Sequence, residues 1–324
     1  MAVSLRTRAG LLKVRPAGPG SRIGLVAPAS PSDRDEFEKG VLELQRLGFE
    51  PVYDERVFER LGFVAGDPDS RKAQLMDMWR RADVDAVMAL RGGYGSLQML
   101  PLLGPADVEI ARAARMAFIG YSDVTSLHIW LACRAGMTSI HGPMIDRRLS
   151  IGPSAYDPVS FLASLQPEPM GEVRPEGVEA LKKGSAEGPM LGGTLTQLLA
   201  SMGTPWAFDP PMGHVLFIDD VGERPYRLDR MLVQLRQTGI LSRASAVVFG
   251  QMPRCDEPDG SVTARSTVAD VMSGFDGPVL FGFPSGHTTT PLMTLSFGVH
   301  TRVLGDGGAP GLLIEESAVY EGTA

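Results

Sequence analysis

Along the first half of the chain, short apolar runs alternate with segments whose apolar positions recur every three to four residues. "RIGLVAP" reads as a buried strand. It is followed by Phe37, Val41, Leu44 and Leu47 on one helical face, with Ser32 and Asp35 as a capping box and Gly48 as a stop. The strand "FEPVYD" comes next, then a helix over 70–82, capped by Ser70 and carrying Leu75, Met78 and Trp79. The strand "DAVMAL", a helix near 97–103, the strand "MAFIG", a helix over 123–135 and "TSIHGP" complete the run. This βαβ rhythm predicts an α/β fold, a parallel sheet covered by helices on both faces. Ligands of such sheets bind outside the carboxyl ends of the strands. Both "RGGYGS" and "GYSD" fall at such ends.

Periodicity fades over 165–189, a stretch rich in Pro, Gly and Glu that reads as a linker or surface excursion. Beyond it the pattern resumes: a helix over 194–202, "HVLFID", a helix over 225–237, "SAVVFG", a helix over 267–273, "PVLFGF" and "MTLSFGV". The expected organisation is therefore an α/β domain over 1–164, a linker over 165–189 and a second α/β domain over 190–324.

Composition narrows the function. Lys and Arg total 31 against 38 Asp and Glu, a net charge of −7, which argues against a nucleic-acid partner. The two cysteines, Cys133 and Cys255, lie far apart without metal-ligand spacing, so neither a disulfide framework nor a structural zinc is expected. The basic N-terminal segment lacks an apolar run of signal-peptide length, and no run reaches transmembrane length, so a soluble cytoplasmic protein without a membrane partner is expected.

Several residues could carry chemistry. Ser122, between a strand and a helix, is either an ordinary N-cap or a nucleophile held where helix amides favour a developing oxyanion. The hydrolase elbow G-x-S-x-G is not satisfied, because Val124 replaces its last glycine. Arg91, Gly92, Gly93 and Tyr94 belong to "RGGYGS", a tight turn or a cradle for negative charge. In "FIDDVGERPYRLDRML", Asp219, Asp220 and Glu223 could be caps, metal ligands or an acid that orients a histidine. Arg224, Arg227 and Arg230 form either a solvated ion-pair face or a wall for a substrate carboxylate. Among the five histidines, His287 in "GFPSGHTTTPL" is the best candidate base, because strand-end loops carry function disproportionately. No H-E-x-x-H or comparable metal cluster exists, and no cofactor is expected. The order Ser122, Glu223, His287 suggests nucleophilic acyl transfer. A non-catalytic nucleotide- or peptide-binding module is the competing class, with a flavin-binding protein weaker still.

At these residues the sequence resembles the LD-carboxypeptidase family of serine peptidases, which includes muramoyltetrapeptide carboxypeptidases and microcin C immunity peptidases. The resemblance rests on "RIGLVAPAS", "ALRGGYGS", "FIGYSDVTSL", "HGPM", "LGGTLTQLLASMGTP", "DVGERPYRLDRML", "VVFGQM" and "GHTTTPLMTLSFGV", in order over about 22–303. It implies a flavodoxin-like N-terminal domain and a C-terminal domain meeting in a catalytic cleft, commonly in a homodimer. It further implies a Ser122–Glu223–His287 triad with an oxyanion hole from the amides of Asp123, Gly92 and Gly93. The expected partner is a small peptide: murein tetrapeptide losing terminal D-Ala, or a peptidyl or aminoacyl nucleotide conjugate, for which Trp206 could stack on a base. Thr194 and Asp219 depart from the usual pattern, where Asn and Glu are more frequent.

Overall fold

The structure, a computed structural model, describes residues 5–322; the first four residues of the basic N-terminal segment lie outside them. The first half follows its predicted alternation except in one crossover, where the helix expected near 97–103 is a short 3₁₀ helix, Ser96–Leu102, and an unexpected α-helix follows it. Its elements are β1 (Arg22–Val26), α1 (Arg34–Arg46), β2 (Glu50–Val52), α2 (Pro68–Arg80), β3 (Ala86–Ala89), α3 (Pro105–Ala114), β4 (Ala117–Gly120), α4 (Thr125–Trp130) and β5 (Ser139–His141). Strands β1, β3 and β4 are apolar and almost wholly buried, as a sheet covered on both faces requires. All neighbours among β1–β5 pair in parallel, in the order β2-β1-β3-β4-β5. That is the flavodoxin-like winding, with its switch point between β1 and β3.

Helix starts differ from the sequence reading by a few residues. Asp33, not Ser32, caps α1 by accepting from the Asp35 amide, and Asp67 caps α2 by accepting from the Ser70 amide. In both helices a carboxylate accepts a first-turn amide, an acceptor whose charge also suits the positive end of the helix dipole. On the helical side of the sheet, Trp79 of α2 stacks on Trp130 of α4 with ring centroids 6.0 Å apart.

The remainder comprises α5 (Pro158–Ser164), β6 (Gly171–Val173), β7 (Glu179–Lys182), β8 (Ser185–Thr194), α6 (Leu195–Ala200), β9 (His214–Asp219), α7 (Pro225–Gln237), α8 (Ile240–Arg243), β10 (Ala244–Gly250), α9 (Ala264–Val271), β11 (Val279–Phe283), β12 (Leu295–Phe297), β13 (His300–Leu304) and β14 (Gly311–Ile314). Eight of these strands form a second sheet in the order β6-β14-β13-β8-β9-β10-β11-β7. Its centre, β8 to β11, is parallel, and its flanks are antiparallel.

Two expectations of organisation are corrected. The stretch 165–189 is not a linker: it supplies β6, β7 and the start of β8 to the second sheet. Edge strands face solvent and bear Glu and Lys, so they lack the apolar signature that marks a buried strand. The segment "MTLSFGV" does not complete the second sheet either. Its β12 crosses back and pairs antiparallel with β5, placing Leu295 opposite His141 and Phe297 opposite Ser139. The boundary at 190 therefore does not separate the two sheets.

Candidate active site

The carboxyl ends of the parallel strands of both sheets converge on one place. From the first sheet, β4 ends at Gly120 and the chain turns through Tyr121 into Ser122, whose φ of 69° lies in the left-handed region. For a residue with a Cβ that conformation costs about 1–2 kcal/mol and concentrates at functional turns. Ser122 does not act as a helix cap. Its hydroxyl lies 3.0 Å from His287 Nε2.

From the second sheet, β11 leads through Ser285 and Gly286 to His287, and β9 ends on Asp219. Asp219 Oδ2 accepts from His287 Nδ1 at 2.6 Å and from the His287 amide at 2.7 Å. Its other oxygen accepts from the Thr194 hydroxyl at 2.9 Å. Asp219 is fully buried, which opposes ionisation. The field of His287 and its hydrogen bonds, together with the field of His141, outweigh that burial and hold the carboxyl down to about 2. The result is a continuous hydrogen-bonded chain from a serine hydroxyl through an imidazole to a buried carboxylate.

The acid expected there, Glu223, is elsewhere. It stands four residues past the end of β9, beyond the Gly222 turn, and pairs with Arg227 at 3.5 Å. The Nδ1 position that Glu223 would need is occupied by Asp219. The signal that distinguishes the two is burial: Asp219 is the last residue of the apolar run "HVLFID", so its side chain faces the protein interior. Gly286 permits the contact, since a Cβ there would lie 2.2 Å from Asp219 Oδ2.

The glycine turn after β3 closes the other side of Ser122. A Cβ on Gly92 would lie 2.7 Å from Ser122 Cβ, 2.9 Å from its Oγ and 3.2 Å from the Asp123 amide nitrogen. Gly93, at φ 94°, comes so close to Ser30 that a Cβ would strike its Oγ at 2.4 Å. Ser30 pins the turn: its amide donates to Gly92 O, its Oγ accepts from the Tyr94 amide and donates to Phe63 O. Arg71, fully buried, donates to Pro28 O and Gly95 O and braces the same turn from behind. Asp123 is also buried. Burial raises its pKa against the opposing Ser96 contacts, and Ser96 N and Gln197 Nε2 donate to its carboxylate.

The remaining candidates separate. Arg91 pairs with Asp146 at 3.3 Å and donates to Pro31 O, which makes it a brace. Tyr94 is exposed and makes an edge contact with Phe63. Arg224 pairs with Glu257, Arg227 with Glu223, and Trp206 packs half-buried against the core. None of these lines the cavity of about 450 Å³ beside His287, which is bordered instead by Tyr121, Arg147, Arg148, Arg254 and Thr288. These three arginines escaped the sequence reading because no motif groups them. Among the described residues, Glu187, His300 and Glu315 lie close enough together to hold a metal, but Arg302 already pairs with both glutamates. No described helix is long and apolar enough to cross a membrane.

Two α/β sheets that together present Ser, His and a buried carboxylate at their strand ends define a serine hydrolase. The chain matches the LD-carboxypeptidase N-terminal domain over residues 23–142 and the LD-carboxypeptidase C-terminal domain over residues 187–303. It is 36% identical over 301 residues to a Streptomyces coelicolor protein assigned by name to the carboxypeptidases, covering 91% of this chain and 94% of that one. It is 30% identical to the murein tetrapeptide carboxypeptidase of Pseudomonas aeruginosa, over 82% of this chain and 88% of the relative. The Microcin C7 self-immunity protein MccF of Escherichia coli is 26% identical over 90% of this chain and 93% of its own. MccF solved in complex with glutamyl sulfamoyl guanosine shares the fold, with a TM-score of 0.85, 23% identity and coverage of 95% and 99%. The chain therefore belongs to the LD-carboxypeptidase family and is a serine-type carboxypeptidase, a hydrolase of peptide bonds.

Proposed function

We propose that the protein removes the terminal D-alanine of murein tetrapeptide by hydrolysing the amide between an L-configured centre and that residue. The observation that carries this reading is the hydrogen-bonded chain Ser122 Oγ, His287 Nε2, His287 Nδ1, Asp219 Oδ2 at the mouth of a cavity. His287 takes the Ser122 proton as the hydroxyl oxygen attacks the scissile carbonyl, and later returns it to the departing amine. Asp219 keeps the His287 proton on Nδ1 and stabilises the imidazolium that forms. The amide of Asp123 and the Gly92–Gly93 backbone receive the oxyanion, and each such donor contributes on the order of 3–4 kcal/mol to the transition state. A water then repeats the attack on the acyl-Ser122 ester and releases the tripeptide.

The test is mass spectrometry of L-Ala–D-Glu–diaminopimelate–D-Ala incubated with wild-type and Ser122→Ala protein. Loss of one alanine with wild type alone is expected. A Ser122→Ala protein with full activity would falsify the mechanism. An intact tetrapeptide, with a fluorophosphonate probe labelling Ser122, would favour the second reading: hydrolysis of a peptidyl or aminoacyl nucleotide conjugate, supported by the likeness to MccF. No cleavage and no label would favour a binding module. The same reading makes the enzyme a cytoplasmic homodimer, and sedimentation equilibrium yielding a monomer would remove that part.

A further inference from the structure

The cavity beside His287 holds two cations that the hydrolytic machinery does not use. Arg148 is committed to the protein itself: its Nε donates to Tyr121 Oη at 3.1 Å, and its terminal nitrogens donate to Ala155 O and Gly286 O at 2.9 and 3.0 Å. It is a buried strut beneath the His287 turn. Arg147 and Arg254 differ. Both are exposed at the cavity, and among the described residues neither guanidinium has a hydrogen-bond or ion-pair partner. The nearby Asp146 carboxylate is paired with Arg91 and feels Arg147 only through its longer-range field. Both arginines also occupy the left-handed region, at φ 64° and 60°, where glycine or asparagine would be less strained. Turn geometry therefore does not account for arginine at either place.

The direction of the reaction decides what these cations face. His287 returns its proton to the departing amine, so the leaving amino acid occupies the side of the site that His287 lines. When the bond cleaved is the last of a peptide, the leaving residue carries the free α-carboxylate. We infer that Arg147 and Arg254 bind the C-terminal carboxylate of the substrate and so make the enzyme an exopeptidase. This rests on the carboxypeptidase reading above. A chain continuing past the leaving residue presents an amide there and leaves two guanidiniums unpaired, a loss specific to longer peptides.

The experiment compares tetrapeptide free acid with its C-terminal carboxamide on wild type, Arg147→Met, Arg254→Met and the double variant. Wild type should prefer the acid at least about tenfold in kcat/KM, the scale of one hydrogen bond to a charged group. In the double variant that preference should fall towards one, with turnover of the carboxamide near the wild-type value. A double variant that keeps the preference overturns the inference. So does one that loses instead the distinction between diaminopimelate and its side-chain amide, which would move the arginines to the acyl side. Calorimetry of both peptides on Ser122→Ala protein separates this inference from the murein reading. If wild type leaves the tetrapeptide intact, the murein reading fails. Tighter binding of the acid that Arg254→Met abolishes would still support the carboxylate site. Equal binding of acid and amide overturns that site alone, and no binding of either overturns both.

Discussion

The acid of the relay is a choice between carboxylates four positions apart, and the environment of each makes the choice. Asp219 ends a buried strand and receives three donors, two of them from His287. Glu223 is half-buried and answers to an arginine on the first turn of α7. Asp219→Asn keeps the shape but can present an N–H to His287 Nδ1, which selects the tautomer unable to accept the serine proton. A fall in kcat of about 10³–10⁴-fold is expected. Glu223→Gln should stay within about threefold of wild type, since a surface ion pair contributes under about 1 kcal/mol. Steady-state kinetics on the two variants decide between them: equal losses, or the larger loss at Glu223, would return the acid to the position expected from the sequence. Because the fields and hydrogen bonds about Asp219 hold its carboxyl near 2, below its ordinary value near 3.9, its charge persists across the neutral range. The stability tied to that charge is present above the unfolded value and is lost only as pH falls through about 2.

At the scale of elements, two turns build the site and both depend on the absence of a side chain. Gly92 is the cleaner test, because its φ is not in the glycine-only region and alanine meets no backbone penalty there. The added methyl would sit 2.7 Å from Ser122 Cβ and 3.2 Å from the Asp123 amide nitrogen, inside the space an oxyanion needs. Gly92→Ala should lower kcat by at least about 10²-fold, the cost of one lost oxyanion donor, with a thermal midpoint within a few degrees of wild type. An active Gly92→Ala enzyme would remove this turn from the oxyanion hole. These turns were legible in the sequence, because an apolar run ending in Gly-Gly or in Gly-Tyr-Ser-Asp signals a strand stopping at a ligand edge. The central strands were legible for the same reason: β3, β4 and β9 are uninterrupted apolar runs. Legibility failed where a residue's meaning comes from a distant partner. The edge strands β6 and β7 lack a buried face, and β12 is defined by pairing with β5, some 150 positions earlier. Arg147 and Arg254 acquire a common role only once two sheets bring them to one cavity.

Across the whole molecule, folding encloses polar groups away from water, and three buried histidines reveal the consequence. His128 is enclosed by Ser139 and the Gly120 carbonyl, His141 lies between Ser285 and the rings of Phe217 and Phe297, and His214 Nδ1 donates to Pro211 O while its Nε2 is unpartnered. Burial pushes their pKa values down to about 3, 4 and 4, with repulsion between His128 and His141, and between His141 and His287, lowering the first two further. An unfolded histidine titrates near 6.5, so below that pH the unfolded chain binds protons that the folded chain refuses. The stability these three residues contribute is therefore complete above about 6.5 and is lost as pH falls towards 4 and then 3. Between those limits each refused proton costs about 1.4 kcal/mol per pH unit, so three together give a slope of up to about 4 kcal/mol per unit. Denaturant midpoints at pH 7.5, 6 and 5 measure it, and a flat profile over that range would contradict the buried neutral histidines. His214→Phe offers an internal control, because this residue opens β9 at the end opposite Asp219. The variant should lose about a third of the acid slope while turnover at pH 7.5 is unchanged, which separates the titration of the fold from that of the relay.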